Sequence, residues 1–177
     1  MFFLISLFTL SKKQKMKEKF IVEATDGLET IATAASRGIF FFIEKKLKGW
    51  KFNHPDTPTL QTELKIFEVT EPETFIKTFE DLLPVSSPPE IDRQVVTQAQ
   101  FVRCCLKYRK VLCREKQIVA FLIKRKSLIL RRTKYRVLIV GTEGKGLGVL
   151  SRRPGSRFGI SQHRHYFAVP VLGIEEF

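Results

Sequence analysis

The chain has little of what would staple a small fold or build a metal centre. It holds three cysteines, Cys104, Cys105 and Cys113, and no C-x-x-C pair. Adjacent cysteines rarely bridge each other because the geometry is strained, and without a paired half-site the pattern offers no structural zinc. The expected state is reduced, buried thiols in an intracellular reducing compartment, cytoplasm or organelle matrix. Long apolar runs are also missing. The run Met1–Leu10 is too short to span a bilayer. Lysines follow it instead of preceding it, and no small-residue cleavage site comes after, so it does not read as a secretory signal. It fits a tail docked on a neighbouring protein, an interfacial membrane contact, or a stretch upstream of a second start at Met16.

Carboxylates are scarce at one end. Residues 1–102 carry 13 Lys and Arg against 14 Asp and Glu, whereas residues 103–177 carry 18 against 4. The whole net charge of +13 therefore belongs to the C-terminal part. Such a field repels itself, and a polyanion relieves it. Hydrophobic residues make up 44% of the chain, enough to pack a core, so wholesale disorder is excluded.

Periodicity predicts an α+β protein: a small mixed domain with a long amphipathic basic helix and a C-terminal antiparallel β-meander. Residues 1–16 read as a hydrophobic and basic extension. Residues 17–83 read as a near-neutral α/β part that contacts other protein subunits. They comprise a strand at Lys17–Thr25, a helix after Asp26 whose second half could instead be a buried strand at "GIFFFI", a strand ending near Val69, and a short helix over 70–83. The stretch Pro84–Glu90, "PVSSPPE", is a stiff connector. Residues 91–177 hold the basic helix, with Arg103, Lys107, Arg109, Lys110 and Arg114 over its polar faces, followed by β-rich runs, the first of which could instead extend the helix, joined by basic turns.

The segment "GTEGKGLGVLSRRPGSRFG", Gly141–Gly159, is both glycine-rich and basic. A phosphate-binding P-loop needs Gly-Lys followed by Ser or Thr, and Gly144-Lys145 is followed by Gly146. A dinucleotide loop needs a third glycine that is not there, and Pro154 breaks any helix that would follow. A meander fits better, with Gly141–Gly148 as a flexible loop between strands, "RPGS" as a turn, and a further strand at Phe158–Ile160. Its glycines would allow close backbone approach to phosphate, and Arg152, Arg153 and Arg157 would supply forked donors. His163 and His165 share a strand face and could bind metal or act as acid and base on a phosphodiester, but no carboxylate lies within the preceding nineteen residues. They read instead as edge histidines beside a basic surface, and no cofactor or metal is implied.

These observations point to a non-catalytic RNA-binding structural subunit of a ribonucleoprotein, ribosome-like assembly. The predicted contacts to nucleic acid are Arg103, Lys107, Lys110, Arg131, Arg132, Lys134, Lys145, Arg152, Arg153, Arg157, Phe158 and Arg164. The alternatives are an RNA-processing nuclease using His163 and His165, or an accessory subunit of a membrane-associated complex with Met1–Leu10 at the interface.

Overall fold

A computed structural model describes residues 14–44, 56–69, 95–126, 133–152 and 164–170. The described residues form one mixed seven-stranded sheet. Its strands are β1 (Gln14–Val22), β2 (Phe42–Ile43), β3 (Thr62–Val69), β4 (Gln117–Lys126), β5 (Thr133–Glu143), β6 (Gly146–Arg152) and β7 (Arg164–Pro170). Three short helices accompany them: α1 (Ile31–Ser36), α2 (Gln98–Lys107) and α3 (Arg109–Leu112). The spatial order is β1-β3-β7-β4-β5-β6-β2. Neighbours are antiparallel except β7 with β4 and β6 with β2, which run parallel. β7, from the C-terminal end of the chain, thus joins the N-terminal pair β1–β3 to β4–β5–β6.

This arrangement corrects the expected long helix followed by a C-terminal meander. Among the described residues the helix is not continuous through residue 96, because Val96 bridges Ile123 of β4. Thr97 then caps α2 in a reciprocal box with Gln100, and the Asp56 carboxylate accepts the N–H of Gln98 at 3.0 Å. α2 ends at Lys107, where Tyr108 leaves helical geometry (φ −106°, ψ 25°). Nor is α2 a surface helix with basic faces. Seven of its residues, from Gln98 to Val102 with Cys104 and Cys105, are buried, while the apolar Leu106 is 47% exposed. The meander is only part of the sheet, since β7 turns away from β6 to pair with β3 and β4.

Two smaller expectations shift as well. The cap of α1 is Thr30, while Asp26 accepts the N–H of Leu28 in a local turn. The second half of the expected N-terminal helix is strand β2. The helix expected over 70–83, the connector 84–90 and the stretch Met1–Leu10 lie outside the described residues.

Strand alternation explains the core. Phe20, Val22, Leu64, Ile66, Val119, Phe121, Leu138, Val140, Tyr166 and Ala168 face the helices, where they meet Ile31, Phe101, Val102, Cys105 and Leu112. Phe101 stands edge-on to Phe121 with centroids 5.2 Å apart, and Phe20 stacks on Tyr108 at 4.1 Å. The opposite face is buried too, through Ile118, Ala120, Leu122, Val137, Ile139 and Phe167. Burial on both faces is why the central strands read as continuous apolar runs, "IVAFLI" and "VLIV", without polar alternation.

Candidate nucleic-acid interface

The parallel pairing of β4 with β7 places the starts of both strands at one end of the sheet, together with the end of β5 and the start of β6. α3 and the short link Cys113–Lys116 lie over the same end. Thr142 Oγ1, on β5, donates to the Cys113 carbonyl at 2.7 Å, and the Arg164 N–H, at the start of β7, donates to the Lys116 carbonyl at 2.7 Å. The Gln117 side-chain amide donates to the Val111 carbonyl. These bonds fix the link against the strand ends.

Six cationic residues gather there: Arg109 and Lys110 on α3, Arg114 and Lys116 on the link, Lys145 at the β5–β6 turn and Arg164 on β7. All six are exposed. The Arg109 guanidinium reaches the hairpin, lying 3.3 Å from where a β-carbon on Gly146 would sit. Glu115 and Glu143 are the carboxylates nearby in sequence. Arg109, Lys110, Lys116, Lys145 and Arg164 make no ion pair among the described residues.

The hairpin corrects the expected flexible glycine loop. β5 continues to Glu143, Gly144-Lys145 makes a two-residue turn, and β6 begins at Gly146. Gly144 has φ +57°, the conformation that the first central position of a tight hairpin turn requires and that glycine accepts without penalty. Gly148 lies opposite Gly141, and a β-carbon on it would come within 2.7 Å of the Glu143 β-carbon. This glycine is there for close packing of strands.

Two clefts flank the link, one on each face of the sheet. The helix-side cleft, about 400 Å³, has Phe20, Ile66, Val111, Val119 and Tyr166 as its apolar lining and Arg114, Lys116 and Arg164 among its polar groups. The other, about 470 Å³, is lined mainly by Phe42, Ile118, Ile139 and Leu150 with Thr142 and Glu143. Glu115, Lys116 and Gln117 border both. Lys116 has φ +58°, in the left-handed region that side chains with a β-carbon rarely adopt.

The remaining predicted contacts fall elsewhere. Lys107 hydrogen-bonds Glu23 at 2.6 Å and the Ile21 carbonyl at 3.0 Å, and sits 5.6 Å from the Tyr108 ring centroid. That hydrogen bond holds the Glu23 carboxyl below its ordinary range and the Lys107 ammonium above its own. Arg103 is half-buried on the same helix. Arg152 donates to both carboxylate oxygens of Glu44, at 3.1 and 3.0 Å, and to the Ser151 carbonyl at 2.8 Å. Lys134 lies near the start of β5, at the far end of the sheet from Lys145. Arg131, Arg132, Arg153, Arg157, Phe158, His163 and the "RPGS" turn lie outside the described residues. His165 is not at an edge: β7 is flanked by β3 and β4, and the residue is 1% exposed.

Arg109, Arg114 and Lys116 were not among the predicted contacts. The first two were visible as basic positions within a supposed helix. The break at "CREKQ" that turns them toward the strand ends becomes readable only once α3 is seen to stop at Leu112. Among the described residues there is no group of three or more His, Cys, Asp or Glu that could hold a metal, and no helix long and apolar enough to cross a membrane. No protein-family model matches the chain, and no curated protein or solved structure shows significant similarity to it.

Proposed function

We propose that this protein is a non-catalytic RNA-binding subunit of a ribonucleoprotein assembly, holding the sugar-phosphate backbone on the basic end of its sheet. The observation that supports the reading is a contrast between two groups of cations. Lys19, Arg37, Lys107 and Arg152 each form an ion pair with a glutamate. Arg109, Lys110, Lys116, Lys145 and Arg164, drawn from four separate segments to one end, form none among the described residues. Gathering like charges at one end of the sheet without ion-pair partners among the described residues costs self-repulsion, which phosphate groups offset while releasing their counterions.

The test is fluorescence anisotropy of a labelled single-stranded RNA titrated at several salt concentrations. Each neutralised phosphate contributes a slope of about −0.7 in log K against log salt, so five contacts predict roughly −3.5. The triple change Arg109→Ala, Lys110→Ala and Lys145→Ala should flatten that slope by about 2 at an unchanged melting temperature. A flat salt response in the unaltered protein would overturn the reading.

A further inference from the structure

Phe41 lies just before β2 and is 60% exposed, whereas Phe20, Phe40, Phe101, Phe121 and Phe167 are buried. One apolar ring in solvent requires no explanation by itself. Its seat does. The Phe41 N–H donates to the Leu147 carbonyl at 2.9 Å, which ties the residue to the start of β6. The ring rests on the β5–β6 hairpin at two glycines. A β-carbon on Gly144 would lie 2.5, 2.8 and 3.2 Å from three ring carbons of Phe41, and one on Gly146 would lie 2.9 Å from the Phe41 β-carbon. Gly144 also serves the turn through its positive φ, but the backbone makes no such demand at Gly146. The missing side chain at Gly146 makes room for Phe41 and for the Arg109 guanidinium, which lies 3.3 Å from the same point. The outcome is an aromatic ring with one side on the hairpin backbone and most of its surface open, beside Arg109 and Lys145.

From this arrangement we infer that Phe41 is the stacking platform for one unpaired base of the bound strand, whose neighbouring phosphates lie on Arg109 and Lys145. The inference rests on the RNA reading above and deepens it. Arg109 and Lys145 are exposed and form no ion pair among the described residues. Glu143, the carboxylate of the same hairpin, leaves the surroundings of the ring positive. Two cations beside the ring favour an aromatic group that carries phosphate over an apolar protein surface. Every base has a π face, so a platform of this kind holds a strand without regard to its sequence. A base stacked and paired inside a duplex does not present that face.

Phe41→Ala should weaken binding of a labelled single-stranded RNA by about tenfold in fluorescence anisotropy. It removes no charge, so the slope of log K against log salt should stay the same. The exposed position predicts a melting temperature within about 2 °C of the original. Phe41→Leu keeps an apolar side chain without a π face and should lose nearly as much affinity. An abasic strand of the same length should bind the unaltered protein at least about tenfold more weakly than the intact strand. On that abasic strand Phe41→Ala should add less than about a twofold loss, because ring and base are partners in one contact. Phe41→Trp in a Trp50→Phe background should bind as the unaltered protein does, and the intact strand should quench the introduced indole where the abasic strand does not. If Phe41→Ala or Phe41→Leu keeps full affinity, if the losses from ring and base simply add, or if the indole is not quenched, the platform is refuted, while a retained salt slope leaves the basic-end reading standing. If the unaltered protein shows no salt-dependent RNA binding, both are refuted.

Discussion

Replacing Gly148 with valine tests whether the glycine-rich segment is built for strand packing or for phosphate. Gly148 is buried, opposite Gly141 on one side and Phe42 on the other. A β-carbon there would lie 2.7 Å from the Glu143 β-carbon and 3.4 Å from its γ-carbon. The first of these atoms is fixed by the backbone and cannot swing away as a side-chain tip would. Overpacking of this kind costs about 1–3 kcal/mol. Loss of glycine's excess unfolded-state freedom returns about 0.5–1 kcal/mol, since the site is ordinary strand. The clash wins, leaving a net loss of about 1–2 kcal/mol, which lowers the melting temperature by roughly 2–8 °C for a chain of this size. Circular dichroism melts measure it directly. Adding Glu143→Gly removes the atom at 2.7 Å, so the double variant should lose less than the sum of the two single changes. At temperatures where both proteins are folded, RNA affinity should stay within about threefold. A Gly148→Val protein that melts at the original temperature but binds RNA poorly would refute the packing argument and restore close phosphate approach as the reason for the glycine.

Arg152→Ala should act on stability and not on binding, because Arg152 is tied to Glu44 and Ser151. Leaving the half-buried Glu44 carboxylate with only the Ser151 N–H among these bonds should cost about 1–3 kcal/mol in chemical denaturation. Affinity for RNA should be unchanged, and a clear loss of affinity would show that the arginine reaches phosphate. Thiol titration of the folded protein should find one readily reactive cysteine. Burial pushes the thiols of Cys104 and Cys105 far up, while Cys113 is half-buried at the link. Cys113→Ser should abolish the fast phase, and persistence of that phase would show that α2 opens in the native state.

Much of the charge logic was legible without coordinates. The imbalance beyond residue 102 concentrates cations in the last strands and their connections, wherever those strands sit. The apolar runs of β4 and β5 suggested strands, although the first could equally have extended the helix; only the structure shows the burial on both faces that accounts for their composition. Boundaries were harder. The spacing of Ile91, Val95, Gln98 and Val102 fits a helix, yet Val96 pairs with β4 and the cap at Thr97 starts α2 late. Local propensity cannot outweigh a sheet partner contributed by a distant segment. "GTEGKGLG" has the composition of a loop, and only pairing with β2 and β5 makes it a strand with room for no side chain at Gly148.

What the sequence by itself determined, then, is an apolar core able to fold and an excess of positive charge confined to its C-terminal part, because both depend on composition and local order alone. The tertiary structure decided which cations are available. Pairing neutralises Lys107 and Arg152 through glutamates far away in the chain, Glu23 and Glu44. The parallel alignment of β4 and β7 brings Lys116 and Arg164, nearly fifty residues apart in sequence, to one rim. Coulomb interaction depends on distance in space, and distance along the chain does not report it.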